Sequence, residues 1–129
     1  MSSAVLDASA LIALIMEEPG ADSVRAIVND AVLSTVNLAE AVGYFARNGA
    51  AEPDIRQMIE PLRIEVIPFD TELAYSAGLL LPPTRAAGLS LGDRACLALA
   101  LRLGVKAWTT DRLWSRIARA VGVDIEIIR

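Results

Sequence analysis

Two kinds of apolar pattern alternate along the chain. Short runs, apolar throughout or alternating with polar residues, are typical of strands in a parallel sheet, which is buried on both faces. They predict five strands, at 4–7, 31–34, 64–70, 105–110 and 124–129. The longer segments between them have apolar residues three or four positions apart, which indicates helices with one buried face.

Turn residues delimit the predicted helices. Pro19 and Gly20 end the first helix, and Pro82 and Pro83 stop a later one before a loop at 85–90. The predicted helices span 8–18, 21–30, 35–49, 52–62, 71–81, 91–104 and 111–122. Helices that alternate with strands in this way predict an α/β fold with a mostly parallel, roughly five-stranded central sheet and helices on both faces.

Length and composition predict a globular protein with one domain. The 129 residues contain no repeat, low-complexity tract or long linker, so we expect a single domain over 1–129. Hydrophobic residues make up 54% and charged residues 22%, which excludes a disordered chain. No apolar run reaches the ~18 residues of a membrane span, and no basic residue precedes Asp7, which argues against a secretory signal. The single Cys96 cannot form an internal disulfide, and we expect a cytoplasmic location.

The absence of histidine narrows the chemistry that the chain can perform. It excludes Ser-His-Asp and Cys-His catalysis within the chain, and also histidine-ligated zinc. The net charge is −4, but residues 1–84 carry 12 acidic and 4 basic side chains, a balance of −8, whereas residues 85–129 carry 4 acidic and 8 basic ones, a balance of +4. The C-terminal third is therefore a basic segment, either a solvated surface or a face for nucleic acid.

Acidic residues fall where an open parallel sheet binds its ligands, outside the carboxyl ends of the strands. Asp7 ends the first predicted strand, Asp111 follows the fourth, and Asp93 opens the helix after the 85–90 loop. Each could instead act only as a helix cap, and Ser90 with Asp93 matches a capping box. Taken one at a time, the three are more simply caps than ligands.

Glu40 is a fourth acid, inside an otherwise apolar helix. Helical geometry at ~100° per residue places it on the side of Val36, Gly43 and Arg47, where the glycine leaves open space. An ion pair with Arg47 is the alternative, although seven residues is long for a direct contact. Four carboxylates at one end of the sheet would repel one another unless a cation joined them, and their hard oxygens favour Mg²⁺ or Mn²⁺.

Four stretches of the chain together resemble a known family. In order, they are "VLDASALIAL", "STVNLAEAV", "LSLGDRACLALALRLGVKAWTTDRLW" and the closing "DIEIIR". They are similar to PIN-domain ribonucleases, and more narrowly to the VapC-type toxins of bacterial type II toxin–antitoxin systems. The resemblance covers essentially the whole chain and implies the PIN-like three-layer α/β/α fold.

The resemblance implies an Mg²⁺- or Mn²⁺-dependent endoribonuclease, which hydrolyses RNA phosphodiesters through a carboxylate-bound metal and an activated water and so needs no histidine. The acids that would bind the metal and carry catalysis are Asp7, Glu40, Asp93 and Asp111. The residues that would support them by hydrogen bonds are Ser9, Thr109 and Thr110. Arg94, Arg112 and Arg116 are candidates for contact with RNA phosphates, although they could equally be helix-surface residues, and Trp114 is a candidate for stacking on a base.

The resemblance also implies partners. A cognate antitoxin protein would cover the acidic groove, and the chain would form a homodimer or a toxin–antitoxin hetero-oligomer. RNA would be the substrate, and no contact with a membrane is expected.

Two other functions stay open. An aspartate-based phosphoryl-transfer domain, of the receiver or phosphatase kind, also places aspartates at strand ends. Against it, Ser9 stands where the dehalogenase type has a second aspartate, and Lys106 begins its strand, whereas a receiver needs a lysine at a strand end. The second alternative is a catalytically silent PIN-like module that binds RNA.

Overall fold

The structure is a computed structural model that describes residues 2–129. Its strands are β1 (Ala4–Leu6), β2 (Ala31–Ser34), β3 (Glu65–Ile67), β4 (Lys106–Thr109) and β5 (Ile125–Ile127). They form one sheet in the order β3-β2-β1-β4-β5, and every pairing is parallel. The predicted central sheet is therefore confirmed; β2 has its predicted bounds, and the other four strands are shorter than the apolar runs that indicated them.

The strand order reverses beside β1. The chain passes from β1 outward to β2 and β3, and then returns to place β4 on the other side of β1. Such a reversal opens a crevice at the carboxyl ends of the two strands. Leu6 is in register with Trp108, and the Asp7 N–H donates to the Trp108 carbonyl at 2.9 Å. Asp7 and the end of β4 therefore lie side by side at this crevice.

Eight α-helices connect and follow the strands in the described residues. They are α1 (Ala8–Ile15), α2 (Ala21–Ile27), α3 (Thr35–Arg47), α4 (Glu52–Ile59), α5 (Thr71–Leu79), α6 (Leu81–Thr84), α7 (Leu91–Leu103) and α8 (Ala118–Val121). Side-chain caps fix where the long helices begin: Ser34 accepts from the Val36 N–H, and Asp70 from the Leu73 N–H. The first six predicted helices are confirmed, with their C-terminal ends shifted inward.

The prediction of one continuous helix at 111–122 is wrong. Residues 112–116 form a 3₁₀ helix, and only α8 is α-helical. Trp114 and Ile117 are both buried, and side chains three positions apart point to the same side in a 3₁₀ helix. The tighter turn thus directs both side chains into the core. Because Trp114 has no exposed surface, the expectation that it stacks on a base is also wrong.

Two prolines restart a helix at the position where they were expected only to end one. α5 ends at Leu79, and α6 then holds Pro82 and Pro83 in its first turn, where a missing N–H removes no helical hydrogen bond. The buried Thr84 hydroxyl donates to the Leu80 carbonyl at 2.7 Å and joins the two helices. The predicted loop at 85–90 begins with a 3₁₀ turn at 85–87.

Alternate residues of β1 face opposite layers of the fold. Val5 packs in a cluster built mainly from α5 and α7, whereas Ala4 and Leu6 pack in a cluster with α1 and α2. All three side chains are fully buried, which makes β1 the centre of a three-layer α/β/α fold, as expected. Cys96 is also fully buried, beside the Val5 carbonyl. Among residues 2–129, no helix has both the length and the apolar character needed to cross a membrane.

Candidate functional site

Asp7 is the only buried acid in residues 2–129, with 5% of its surface exposed. Its Oδ2 accepts hydrogen bonds from the Ser9 hydroxyl at 2.7 Å and the Thr109 hydroxyl at 3.1 Å. Asp7 stands at the N-cap position of α1, yet its side chain makes no capping hydrogen bond. A capping role therefore does not explain this carboxylate, which lies in the crevice between β1 and β4.

Hydroxyl groups connect the ends of β1 and β4. The Ser9 Oγ lies 3.3 Å from the Thr109 Oγ1 and accepts a hydrogen bond from the Thr110 N–H at 3.1 Å. The Thr109 Oγ1 in turn accepts from the Asp111 N–H at 3.1 Å. Ser9 and Thr109 thus link the Asp7 carboxylate to the segment that carries Asp111, while Thr110 contributes through its backbone.

Glu40 is held by Asn37, a residue that the sequence analysis did not single out. Asn37 is fully buried, and its Nδ2 donates to the Glu40 Oε1 at 2.9 Å and to the Gly92 carbonyl at 3.0 Å. Both partners can only accept, which fixes the orientation of the amide. The Asn37 Oδ1 is buried with no partner among residues 2–129. One side chain thus fixes Glu40 of α3 relative to the first turn of α7.

Gly92 is the point at which α7 approaches Glu40. An added Cβ at this position would overlap the Glu40 carboxylate. The glycine is therefore needed for the close approach of the two helices, and it lies directly before Asp93. The sequence signal that could have indicated Asn37 and Gly92 is weak, since it consists only of a polar residue one turn before Glu40 and a glycine at the start of a helix.

Asp93 and Asp111 each use one carboxylate oxygen as a helix cap. The Asp93 Oδ2 accepts from the Ser90 N–H at 2.9 Å, and the Ser90 hydroxyl accepts from the Asp93 N–H at 3.2 Å, which completes the expected capping box. The Asp111 Oδ1 accepts from the Leu113 N–H at 2.9 Å. No hydrogen bond within residues 2–129 uses the second oxygen of either carboxylate. Capping therefore leaves one oxygen of each group for a ligand.

The four acids influence one another through space. Burial, together with the charges of Asp93 and Glu40, raises the pKa of Asp7 to about 6, although hydrogen bonds from two hydroxyls oppose this change. Burial and the charge of Asp93 also raise the pKa of Glu40. Burial and the charge of Asp111 raise the pKa of Asp93, against its own capping hydrogen bonds. The predicted quartet thus forms one electrostatically coupled group.

A cavity of about 400 Å³ opens beside three of these acids, Asp7, Glu40 and Asp93. Its wall on α3 also includes Gly43, Tyr44 and Arg47. No atom lies within 4 Å of the point where a Cβ of Gly43 would stand, which agrees with the open space expected beside Glu40. A larger, mostly apolar cavity of about 570 Å³ lies elsewhere, between α3, α4 and β3, and contains none of the four acids.

Comparison with known proteins identifies the family. The model of the PIN domain matches residues 4–120. The chain belongs to the PIN-domain family. Comparison of this PIN domain with curated proteins gives no match.

Solved structures share the fold of this PIN domain. A DNA-bound VapBC from Salmonella typhimurium superposes with a TM-score of 0.74 at 21% identity, over 98% of both chains. VapBC2 from Rickettsia felis, bound to a promoter DNA fragment, superposes with a TM-score of 0.73 at 16% identity, over 95% of this chain and 96% of that one. VapBC-5 from Mycobacterium tuberculosis, a member of a family of toxin–antitoxin systems, superposes with a TM-score of 0.62 at 24% identity, over 97% of this chain and 98% of that one. At these identities the likeness is one of fold.

The predicted RNA-contact arginines occupy different environments in this PIN domain. The half-buried Arg94 donates from Nη1 to the Ala77 carbonyl at 2.9 Å, and its Nε is buried without a partner among residues 2–129, which favours a structural role. Arg112 is exposed and donates from Nε to the Arg129 carbonyl at 3.1 Å, and Arg116 is exposed. Contact of these arginines with RNA stays a prediction.

The donor atoms of the site suit a hard cation. Carboxylates and hydroxyls supply only oxygen, there is no histidine, and the Cys96 thiol is buried beside the Val5 carbonyl. Within residues 2–129, no three His, Cys, Asp or Glu side chains stand close enough together to hold an ion by themselves. A divalent ion beside these carboxylates would relieve the like-charge repulsion that contributes to their raised pKa values.

Proposed function

We propose that this PIN domain is a divalent-metal-dependent endoribonuclease and the toxin of a toxin–antitoxin pair. The observation that carries the proposal is the cavity lined by Asp7, Glu40 and Asp93, acids from three separate segments, with Asp111 near enough for its charge to raise the pKa of Asp93. Only Asp93 and Asp111 have capping bonds that would explain their positions otherwise. Structures of the same fold come from VapBC systems, which supports the assignment.

The metal would be held mainly by Asp7 and Asp93, with Asp111 completing the set and Glu40 at its edge. A bound Mg²⁺ or Mn²⁺ would supply charge neutralisation at the scissile phosphate and lower the pKa of an attacking water. The hydroxyls of Ser9 and Thr109 favour the ionised form of the Asp7 carboxylate, the form that binds a cation, because they donate to it.

The phosphoryl-transfer alternative has less support. Lys106 lies at the amino end of β4, paired with Ala4 in register and with the Glu126 carboxylate at 3.3 Å. It is therefore at the opposite end of the sheet from Asp7 and cannot assist chemistry there. Position 9 offers a hydroxyl that donates to Asp7 instead of a second acid.

An antitoxin would be the natural partner of this site. Neighbouring structures were solved as a VapBC and as a toxin–antitoxin complex, and the acidic cavity, partly lined by α3, offers a surface for such a partner. We further propose assembly as a homodimer or a toxin–antitoxin hetero-oligomer, and a cytoplasmic location.

The experiment that tests the function incubates the purified protein, free of antitoxin, with a mixed RNA pool and Mg²⁺ or Mn²⁺. We expect cutting that a chelator stops, that Asp7→Asn and Asp93→Asn abolish, and that Asp54→Asn leaves unchanged. Asp54 is an exposed acid in the first turn of α4 and serves as the matched control. A stable aspartyl phosphate without RNA cutting would support the phosphoryl-transfer alternative, and RNA binding without cutting would support the silent module.

A further inference from the structure

We propose that Tyr44 and Arg47 of α3 form a nucleotide subsite beside the acids, in which a base of single-stranded RNA stacks on this pair and its phosphate meets the guanidinium. The subsite rests on the proposed function, since that function makes RNA the ligand. It places the substrate along α3, in the cavity that Tyr44 and Arg47 line together with three of the acids.

The spacing of residues along α3 aligns the subsite with the acids. Glu40, Tyr44 and Arg47 follow one another at four and three positions, and residues at this spacing share one face of a helix. Two helical turns separate the first from the last, about 10 Å at 1.5 Å per residue. Gly43 leaves the surface between them open, since nothing lies near its missing Cβ. A nucleotide can therefore lie along this face without displacing a side chain.

Arg47 supplies the positive charge that an acidic site needs in order to receive RNA. It lines the same cavity as three acids, yet it forms no ion pair within residues 2–129. Its guanidinium instead lies 5.9 Å from the centre of the Tyr44 ring. A guanidinium over an aromatic ring keeps its N–H groups at the edge of its plane, where they can donate to a phosphate. Glu40 therefore leaves this cation free for a ligand.

Tyr44 supplies a flat surface at the cavity. Its side chain is half-buried, and the ring of the buried Phe45 stands nearly perpendicular to it, with centroids 5.3 Å apart and an angle of 84° between the ring planes. Aromatic rings and guanidinium planes are the groups on which unpaired bases of RNA stack, and stacking tolerates any base. The pair is thus suited to a base of any identity beside the scissile phosphate.

A purely structural role makes a different prediction. Arg47 is the last residue of α3, where a positive charge also complements the helix dipole. If that were its only role, a substitution would lower the stability of the protein and leave its affinity for RNA unchanged. Binding and stability therefore have to be measured on the same variants.

The test measures the binding of a short fluorescent single-stranded RNA by anisotropy in Ca²⁺, with a gel to show that the RNA stays intact, and thermal unfolding beside it. The variants are Tyr44→Ala, Tyr44→Phe and Arg47→Gln. Matched controls are Tyr75→Ala, an exposed tyrosine on α5, and Arg63→Gln, an exposed arginine before β3 at the other end of the sheet. An RNA that carries 4-thiouridine gives a second measurement, the position of the photo-crosslink.

We expect Tyr44→Ala to raise Kd about 5-fold or more, the lower end of the effect of losing one base stack. Tyr44→Phe should keep wild-type affinity, because stacking needs the ring and not the hydroxyl. Arg47→Gln should weaken binding and reduce the slope of log K against log salt by about 0.7, the value for one phosphate contact on a single strand. The crosslink should map to Tyr44, and both controls should bind as the wild type does.

The subsite is overturned if Tyr44→Ala and Arg47→Gln bind RNA like the wild type, or if the wild type does not bind this RNA at all. Its failure can be told apart from failure of the proposed function. If the two variants cut RNA with the KM of the wild type, the subsite is contradicted and the nuclease function stands. If the wild type binds RNA in a way that depends on Tyr44 but does not cut it, the subsite stands and the nuclease function is contradicted.

Discussion

The Asn37 side chain donates a hydrogen bond of 2.9 Å to the Glu40 carboxylate, one turn later on the same helix. Its second acceptor, the Gly92 carbonyl, belongs to α7, so one buried amide connects the helix that carries Glu40 with the turn that precedes Asp93. This relationship makes Asn37 a positioning residue for two of the four acids.

Asn37→Ala should lower both stability and RNA cleavage. The substitution removes both hydrogen bonds that the buried Asn37 amide donates, to the Glu40 carboxylate and the Gly92 carbonyl, and the loss of such buried hydrogen bonds costs about 1–3 kcal/mol. Urea unfolding measures that cost, and kcat measures the loss of Glu40 alignment. Asn48→Ala is the control, since Asn48 also donates from Nδ2 but at the exposed end of α3. Equal stability and kcat in Asn37→Ala and the wild type would contradict the positioning role.

Gly92→Ala should impair cleavage although alanine is the better helix former. Alanine inside a helix is favoured over glycine by about 1 kcal/mol, but here its Cβ would displace the Glu40 carboxylate. Gly78→Ala in α5 is the matched control, because nothing lies within 4 Å of its added Cβ. We expect that control to raise the free energy of unfolding and keep kcat, and Gly92→Ala to gain no stability and lose kcat. A fully active Gly92→Ala would show that the contact with Glu40 is dispensable.

The stability of the metal-free protein should fall as pH rises from about 4 to about 6. The folded state raises the pKa of Asp7 from 3.8 to about 6, so in this range it binds more protons than the unfolded state. The free energy of unfolding should fall by at most about 3 kcal/mol, and the fall should be complete once the pH exceeds the pKa of Asp7 in the folded state. Asp70 acts in the opposite sense, since the Arg102 hydrogen bond lowers its pKa to about 2, but its effect falls below this window.

Urea unfolding in a chelator, repeated at several pH values, checks this trend. Asp7→Asn should flatten the dependence and be more stable than the wild type at pH 7, whereas Asp54→Asn should follow the wild type. Mg²⁺ should restore stability at neutral pH, since a ligand that binds the folded state stabilises it. A wild-type protein that becomes more stable between pH 4 and 6 would refute the burial of an ionisable Asp7.

Ser9→Ala should shift the pH profile of cleavage upward. The Ser9 hydroxyl donates to the Asp7 carboxylate and lowers its pKa, so its removal leaves more of the protonated form at a given pH. Activity should therefore be reduced more at pH 6 than at pH 8. Ser23→Ala removes an exposed hydroxyl that bonds only the Gly20 carbonyl and should keep the wild-type profile. A uniform loss across the whole pH range in Ser9→Ala would indicate damage to the fold.

Patterns that depend on neighbouring residues were predictable from the sequence. The strands follow from short apolar runs, because a parallel sheet between two helical layers buries both faces of its central strands, and β1 and β2 are buried throughout. The capping box at Ser90 follows from spacing alone. The placement of Asp7 and Asp111 at the carboxyl ends of strands, where an open parallel sheet binds its ligands, also follows from the sequence, whereas the pairing of β1 with β4 does not.

Features set by tertiary contact were not predictable. Asn37 is buried because α7 covers it, and no local pattern contains that information. The 3₁₀ form of residues 112–116 depends on the core that receives Trp114 and Ile117. For the same reason, Trp114 was a plausible RNA contact in the sequence and is an internal residue in the structure, whereas Tyr44 gained its place at the cavity only through the fold.

Titration of the protein with Mn²⁺ by calorimetry tests the central claim most directly. If Asp7, Glu40, Asp93 and Asp111 form one cation site, the wild type should bind Mn²⁺, Asp7→Asn and Asp93→Asn should each lose that binding, and Asp54→Asn should keep it. Mn²⁺ binding that is the same in the wild type, Asp7→Asn and Asp93→Asn, or absent from the wild type, would contradict the claim.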